Sequence, residues 1–176
     1  MDILRTGGVH VPKFGVARTP EEAMKVAKEL KCSDFVVKAQ VLAGGRGRGK
    51  FSSGLKGGVK IVFSADEVYE ISKQMLNQKL VTAQTGPQGV LCKEVMIVER
   101  LFPRREYYFT VMMERAYNGP VIIASSQGGM AIEEVARDSP DAIVTQPIDI
   151  EKGLTQELAL GIVKRLGFHP ASHEQV

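Results

Sequence analysis

The stretch AGGRGRGKFSSGLKGG, residues 43–58, is a glycine-rich loop with seven glycines and four basic side chains in sixteen positions. Glycine at this density sacrifices backbone order. The usual compensation is that backbone N–H groups approach an anion closely while Arg and Lys neutralise its charge. The loop is therefore predicted to hold a phosphate-bearing ligand. A flexible surface hairpin or linker stays open as an alternative on composition alone.

Two common phosphate motifs do not fit this loop. Gly44, Gly49 and Lys50 have the spacing of a P-loop, but Phe51 stands where a P-loop carries the Ser or Thr that binds Mg²⁺. The residues that follow, SSGLKGG, would not form the helix that a P-loop needs there. The dinucleotide fingerprint GxGxxG also fails, because Lys50 occupies its third glycine position.

The sequence around the loop alternates short apolar runs with amphipathic stretches, which predicts a mixed fold of the α+β or α/β class. TPEE (19–22) and SADE (64–67) each place Thr or Ser three residues before Glu, the capping-box signature of a helix start. Strands are predicted at 11–17, 34–41, 58–63, about 79–85, 94–101 and 107–114, and in PVIIASS (120–126). Helices are predicted from each capping box, over IEEVARDSP (132–140) and over 155–167.

Size and composition limit the possible functions. The chain has 176 residues, 44% of them hydrophobic and 24% charged, enough for one domain or two small lobes with a core. No apolar run approaches the roughly 18–20 residues that cross a bilayer, so no membrane partner is expected. Cys32 and Cys92 have neither metal-site nor disulfide spacing, which fits a reducing compartment. We assign no catalytic nucleophile and no metal ligand.

Basic charge is concentrated near the loop, although the formal net charge is only +3. No acidic residue occurs between positions 35 and 65. Lys38 lies within the strand that leads into the loop, where a cation must face a cleft or solvent. Strand alternation leaves the solvent-facing interpretation open, but proximity to the loop favours a phosphate clamp.

Downstream, an apolar strand ends at Glu99 and the chain turns through Pro103 to Glu106. A strand end released from its ladder offers N–H and C=O groups to an adenine edge, and a nearby carboxylate can hold a ribose hydroxyl. Taken singly, either glutamate could instead be a solvated charge. Arg104 and Arg105 form a solvated face or contribute to phosphate or partner binding.

Five segments together resemble the β subunit of succinyl-CoA synthetase, ADP-forming type: VVKAQVLAGGRGRG, SGLKGGVKIVF, VMIVERLFPRREYYF, NGPVIIASSQGGMAIEEVA and PIDIEKG. The resemblance implies an ATP-grasp fold, in which two α+β lobes close on a nucleotide. We expect residues 1–176 to be an incomplete ATP-grasp region, truncated before the C-terminal CoA-ligase domain. The expected lobes are residues 15–100, with the glycine-rich loop, and residues 1–14 plus 101–176.

The resemblance also assigns roles to particular positions. It implies phosphate contacts at Lys38, Gly45, Arg46 and Gly47, an adenine side at Glu99 and Phe102, and a ribose contact at Glu106. Pro12 stands where the GDP-forming type has a glutamine that bonds guanine, and a proline side chain cannot make that bond. Arg104 and Arg105 belong to a stretch like that of the ADP-forming type. Adenine is therefore expected rather than guanine.

The activity implied by the resemblance is succinate–CoA ligation. In that family Mg²⁺-bound ATP phosphorylates a histidine of a partner α subunit, the phosphate passes to succinate, and coenzyme A displaces it in the citric acid cycle. The cofactors implied are ATP/ADP and Mg²⁺, with the metal ligands beyond residue 176 and CoA handled by the missing domain. The implied location is the mitochondrial matrix, and this chain alone is expected to be inactive. Malate–CoA ligase and an ATP-citrate lyase-like enzyme stay open, since the acid is handled elsewhere.

A nucleic-acid module is the rival outside enzymes, because GGRGRG resembles an RNA-binding Arg/Gly tract. Phe51 is the only aromatic residue of the loop, so no nucleic-acid partner is expected. We predict that the chain binds ATP with Mg²⁺ more tightly than a short single-stranded RNA. Calorimetric titrations of ATP, GTP and RNA at two salt concentrations check this. Strongly salt-dependent RNA binding without nucleotide preference would favour the rival.

Overall fold

The computed structural model describes residues 1–129 and 132–168, and the chain divides into two compact units, Met1–Phe102 and Pro103–Val176. Residues 1–14 belong to the first unit, which differs from their expected place in the second lobe. The reason is a pair of hydrogen bonds: Lys13 N–H donates to Oε1 of the Glu99 side chain at 2.9 Å, and Glu99 N–H donates to the Lys13 carbonyl at 2.9 Å. Phe14 also pairs with Val98 of the first unit, and the Arg5 guanidinium lies over the Phe14 ring.

The first unit mixes helices and strands, as the apolar pattern predicted. Its helices are α1 (Asp2–Thr6), α2 (Pro20–Leu30) and α3 (Ala65–Met75). Its strands are β1 (Phe14–Ala17), β2 (Phe35–Gln40), β3 (Lys50–Phe51), β4 (Val59–Val62), β5 (Lys79–Val81), β6 (Val90–Leu91) and β7 (Glu94–Glu99). The predicted strands at 11–17 and 79–85 are shorter than expected, and the two-residue strands were not predicted.

The main sheet of the first unit has the strand order β1-β7-β2-β4, and a small sheet has the order β3-β5-β6. Every strand pairing in the described part of the chain is antiparallel, so the fold is α+β. Buried residues of β2 alternate with half-buried ones along the strand. The buried set packs with α2 and α3 into one core that includes Ala23, Ala27, Phe35, Val37, Ala39, Val68, Met75 and Ile97.

Both helix starts that were predicted from a capping box have side-chain caps. Thr19 Oγ1 accepts a hydrogen bond from Glu22 N–H, and Ser64 Oγ accepts one from Glu67 N–H, each at 3.1 Å. Each glutamate reaches back one residue further than in a standard capping box, to the N–H that precedes the cap residue. The caps satisfy N–H groups that the first helical turn leaves without partners.

The second unit contains strands β8 (Tyr108–Glu114), β9 (Gly119–Ser125) and β10 (Ile143–Pro147), and helices α4 (Ile132–Asp138) and α5 (Gln156–Arg165). Its sheet has the order β10-β9-β8. Ile162 of α5 packs on Ile122, Ala124 and Val144. Strand β10 was not predicted. No helix among the described residues is both long and apolar enough to cross a bilayer.

Two serines of the α3 region give opposite predictions for stability. Ser72 is fully buried, and its Oγ has no hydrogen-bond partner among the described residues. Ser72→Ala should therefore raise the free energy of unfolding by about 1 kcal/mol, because it removes an unsatisfied buried hydroxyl. Ser64→Ala should lower it by about 1 kcal/mol, because it removes the helix cap. Urea unfolding measures both, and equal destabilisation by the two changes would contradict the prediction.

Candidate functional site

The glycine-rich loop is an ordered hairpin in this structure. Gly57 N–H donates to the Gly49 carbonyl at 2.7 Å, and Phe51 N–H donates to the Leu55 carbonyl at 2.9 Å. Strand β3 within the loop also pairs with β5. These bonds make the loop a hydrogen-bonded hairpin rather than an extended linker.

The loop is fastened to β2 directly after Lys38. Arg46 Nη1 donates to the Ala39 carbonyl at 2.9 Å, and Ala39 N–H donates to the Gly58 carbonyl at 2.8 Å. Gly58 N–H in turn donates to the Arg46 carbonyl at 2.7 Å. The structure thus brings Lys38 and Arg46 to the same end of one strand. One N–H group of the Arg46 guanidinium holds the loop, and none of its other N–H groups donates a hydrogen bond to a residue that the structure describes.

Three glycines of the loop differ in backbone conformation and in the space around them. Gly45 has φ +70°, a left-handed conformation that side chains disfavour. A Cβ at Gly49 would lie 2.8 Å from both Leu80 Cδ1 and the Val81 carbonyl oxygen, so this position has no room for a side chain. A Cβ at Gly47 would meet nothing within 4 Å. The backbone at Gly47 is therefore open to an approaching ligand.

Lys38 lies on the face of the main sheet that is turned away from the α2 and α3 core. It alternates with buried Val37 and Ala39 along β2. Its cross-strand neighbours on its own face are Val59 of β4 and Met96 of β7. The lysine is half-buried on this open face, so it avoids the cost of placing a cation in the core.

Glu99 ends β7 and fixes the segment that contains Pro12. Besides accepting from Lys13 N–H through Oε1, its Oε2 lies 3.8 Å from the Cys32 Sγ. Burial, followed by the Glu99 charge, raises the pKa of the Cys32 thiol. Pro12 directly precedes Lys13 in the sequence, so the bonds between Lys13 and Glu99 also fix the backbone beside Pro12. The Glu99 carboxylate is occupied by protein contacts, and so are the main-chain N–H groups of Glu99 and Arg100.

Arg100 is a residue that the sequence analysis did not single out. Its Nη1 lies 3.3 Å from Asp34 Oδ2, and its N–H donates to the Asp34 carbonyl at 3.1 Å. Its guanidinium stands 4.5 Å from the ring centroid of Phe102, which is 72% exposed, and 6.0 Å from that of Phe63. Arg100 thus supports Phe102 at the end of β7 through a cation–π contact.

In the second unit, Glu106 is held by a glycine pair. Gly128 N–H donates to the Glu106 carbonyl at 2.9 Å. A Cβ at Gly128 would lie 2.5 Å from the Glu106 carbonyl carbon, and one at Gly129 would lie 2.4 Å from Glu106 Oε2. Arg104 and Arg105 precede Glu106 as exposed side chains of this unit.

The described residues include no cluster of three or more His, Cys, Asp or Glu side chains that could hold a metal ion. What the glycine-rich loop and its strand offer instead is ammonium and guanidinium groups together with backbone N–H donors. This donor set suits the oxygens of a phosphate group, because each of these groups donates to an anion and none accepts from it.

Comparison with known proteins gives three findings. The family model described as "ATP-grasp domain" matches residues 1–176. The chain is 54% identical over 96% of its length to the mitochondrial succinate–CoA ligase [ADP-forming] β subunit of Columba livia, covering 41% of that protein. It is 46% identical over 98% of its length to the [GDP-forming] β subunit of the same bird, covering 44% of it. The chain thus spans about two fifths of these relatives.

A solved structure shares the fold at low sequence identity. It is the dinucleotide-forming acetyl-coenzyme A synthetase 1 of Ca. Korarchaeum cryptofilum, in complex with coenzyme A, Ca-AMPCP and HgCl⁺. The match has a TM-score of 0.60 and 19% identity, and it covers 96% of this chain and 68% of that one.

We predict that Gly128→Ala destabilises the second unit, because its Cβ would collide with the Glu106 backbone. The expected loss in the free energy of unfolding is about 1–3 kcal/mol, the cost typical of overpacking. Gly161→Ala is the matched control: Gly161 lies in α5 with nothing within 4 Å of a built Cβ, and the change should stabilise by up to about 1 kcal/mol. Thermal unfolding measures both variants, and equal melting temperatures would contradict the prediction.

Proposed function

Because the chain belongs to the ATP-grasp family, we propose that it is the nucleotide-binding part of an ADP-forming succinate–CoA ligase. The observation that carries the proposal is the fastening of the glycine-rich loop to β2 beside Lys38. The identity to succinate–CoA ligase β subunits favours succinate over malate or citrate as the acid of the complete enzyme.

The phosphates are proposed to lie between the loop and Lys38. The donors would be the backbone N–H groups of Gly45, Arg46 and Gly47 and the Lys38 ammonium. The guanidinium N–H groups of Arg46 that do not bond Ala39 would add to them. No acidic residue between positions 35 and 65 opposes the incoming anion. These groups would stabilise charge on the transferring phosphoryl group by electrostatics rather than by covalent chemistry.

The adenine base is proposed to lie near Phe35, at the end of β2 opposite to the glycine-rich loop. Phe35 at the start of this strand pairs with Glu99, whereas Ala39 near its end accepts from Arg46. Four strand residues span roughly 13 Å, a separation that suits an extended nucleotide lying along the sheet. Main-chain groups around Glu99 and the ring of Phe102 would meet the adenine.

Adenine specificity is proposed to rest on the segment that Glu99 holds. Pro12 in that segment offers no side-chain donor or acceptor for a guanine edge. The higher identity to the ADP-forming than to the GDP-forming pigeon subunit supports adenine. We propose that Glu106 binds the ribose and that Arg104 and Arg105 contribute to nucleotide preference.

The remaining parts of the reaction are proposed for the complete enzyme. A partner α subunit would carry the histidine that ATP phosphorylates, and the other three fifths of the relatives would handle succinate and coenzyme A. Mg²⁺ would accompany the nucleotide, because it neutralises charge between adjacent phosphates. The mitochondrial naming of the pigeon relative supports the matrix as the location.

Lys38→Met tests the phosphate assignment. Removing the ammonium should weaken ATP binding by about tenfold to a hundredfold, the loss expected for one charge-assisted hydrogen bond. Adenosine binding should change less than twofold, because the base contacts lie elsewhere. Lys28→Met, an exposed lysine of α2, is the matched control and should leave both affinities unchanged. Calorimetry with a non-hydrolysable ATP analogue measures them. Unchanged ATP affinity in a folded Lys38→Met protein would refute the assignment.

A further inference from the structure

Arg100 stands in a row of three side chains that crosses one end of the main sheet. Strand β2 pairs with β4 on one side and with β7 on the other, and both pairings are antiparallel. Carried one residue beyond the paired segments, their register sets Asp34 between Phe63 and Arg100. The Arg100 N–H bond to the Asp34 carbonyl, at 3.1 Å, continues the pairing of β2 with β7 to this point. We call these three residues the Arg100 row.

The Arg100 row lies on the same face of the sheet as Lys38. Asp34 and Lys38 are four residues apart, and a strand turns every second side chain to the same face. Phe35, between them, is buried in the core with α2 and α3. Glu99 pairs with Phe35 and therefore shares its helix-covered face. At this end of the sheet the open face is thus reached by the Arg100 row and not by the Glu99 carboxylate.

Arg100 is held from two sides within the row. Its Nη1 lies 3.3 Å from Asp34 Oδ2, and its guanidinium lies 6.0 Å from the ring centroid of Phe63. Phe63 is itself fixed, because its N–H donates to Glu67 Oε2 of α3 at 2.9 Å. The side chains of Arg100 and Asp34 are only 27% and 24% exposed, which limits the solvent screening that weakens surface ion pairs. The guanidinium therefore has a defined position.

Phe102 receives its position from Arg100. Its ring follows the end of β7, outside any helix or strand, and is 72% exposed. The Arg100 guanidinium lies 4.5 Å from the ring centroid, within the range of a cation–π contact. Arg100 covers one face of the ring, and the high exposure means that the opposite face is open. An open aromatic face at a fixed position suits a flat ligand ring.

We propose that Arg100 is a positioning residue for the adenine base: it holds Phe102 so that the open face of the ring stacks on the purine. The proposal rests on the proposed function, because it concerns the base of the same nucleotide. The N–H groups of Glu99 and Arg100 are already bonded to the protein, so the strand end offers the base a ring face in place of these donors. Arg100 acts through Phe102 without touching the nucleotide.

Calorimetry with two ligands separates the base from the phosphates. A non-hydrolysable ATP analogue carries both, whereas inorganic tripolyphosphate carries only the phosphate chain. Phe102→Ala should weaken analogue binding about fivefold to a hundredfold, the loss typical of removing one stacked aromatic ring. Arg100→Met should weaken it about twofold to thirtyfold, the loss of one cation–π contact. Both variants should keep tripolyphosphate affinity within twofold, which also shows that they are folded.

Two results of these titrations would overturn the proposal. Equal weakening of both ligands by Arg100→Met would mean that the arginine supports the fold in general rather than the base. Unchanged analogue affinity in Arg100→Met or in Phe102→Ala would mean that the ring and its arginine do not serve the base.

A double variant tests whether Arg100 acts through Phe102. Arg100→Met combined with Phe102→Ala should bind the analogue within twofold of Phe102→Ala alone, because the arginine then has no ring to position. Additive losses in the double variant would mean that Arg100 acts by a route that does not involve Phe102, and would contradict the proposal.

Arg137→Met is the matched control. Arg137 also pairs with an aspartate, its Nε lying 2.7 Å from Asp138 Oδ1, but it belongs to α4 of the second unit. Its replacement removes the same charge and the same kind of ion pair, and both affinities should stay within twofold. A loss of analogue affinity equal to that of Arg100→Met would show a nonspecific effect of charge and refute the positioning role.

The Lys38→Met protein distinguishes failure of this proposal from failure of the proposed function. If Lys38→Met weakens analogue binding and Arg100→Met does not, the nucleotide assignment stands and only the positioning role fails. If the unmodified chain binds neither the analogue nor tripolyphosphate, the nucleotide assignment fails and the positioning role fails with it.

Discussion

The hydrogen bond from the Arg46 guanidinium to the Ala39 carbonyl, with the bond from Ala39 N–H to the Gly58 carbonyl, holds the glycine-rich loop against β2. A loop with seven glycines would otherwise lose a large conformational entropy when it adopts one shape. These two bonds, made to adjacent groups of one strand residue, fix where the loop N–H groups lie relative to Lys38. The phosphate part of the proposed site depends on that position.

Strand alternation then divides the cations between two places. On β2 it buries Phe35, Val37 and Ala39 against the helices and turns Lys38 to the open face. On β4 the same rule sends Lys60 to the other side. One basic segment of sequence therefore places lysines on both faces of the main sheet. The distinction between them arises from the period of two residues in a strand.

Much of this architecture could be predicted from sequence, where local signals are strong. The caps at Thr19 and Ser64 and the strand through Lys38 are confirmed, because each depends on a few adjacent residues. Strand β3 was missed because two residues carry no periodicity. The Lys13–Glu99 bonds, which join residues 1–14 to the first unit, connect positions far apart in sequence, as does the Asp34–Arg100 pair. No local pattern encodes such contacts.

The most direct test of the central claim is a crystal structure of this chain with Mg²⁺ and a non-hydrolysable ATP analogue. The account predicts the Lys38 ammonium and the N–H groups of residues 45–47 at hydrogen-bond distance, about 2.7–3.2 Å, from oxygens of the phosphate chain. The Arg46 bond to Ala39 should persist in that complex. An ordered analogue bound away from the loop, with the Lys38 ammonium in solvent, would contradict the account.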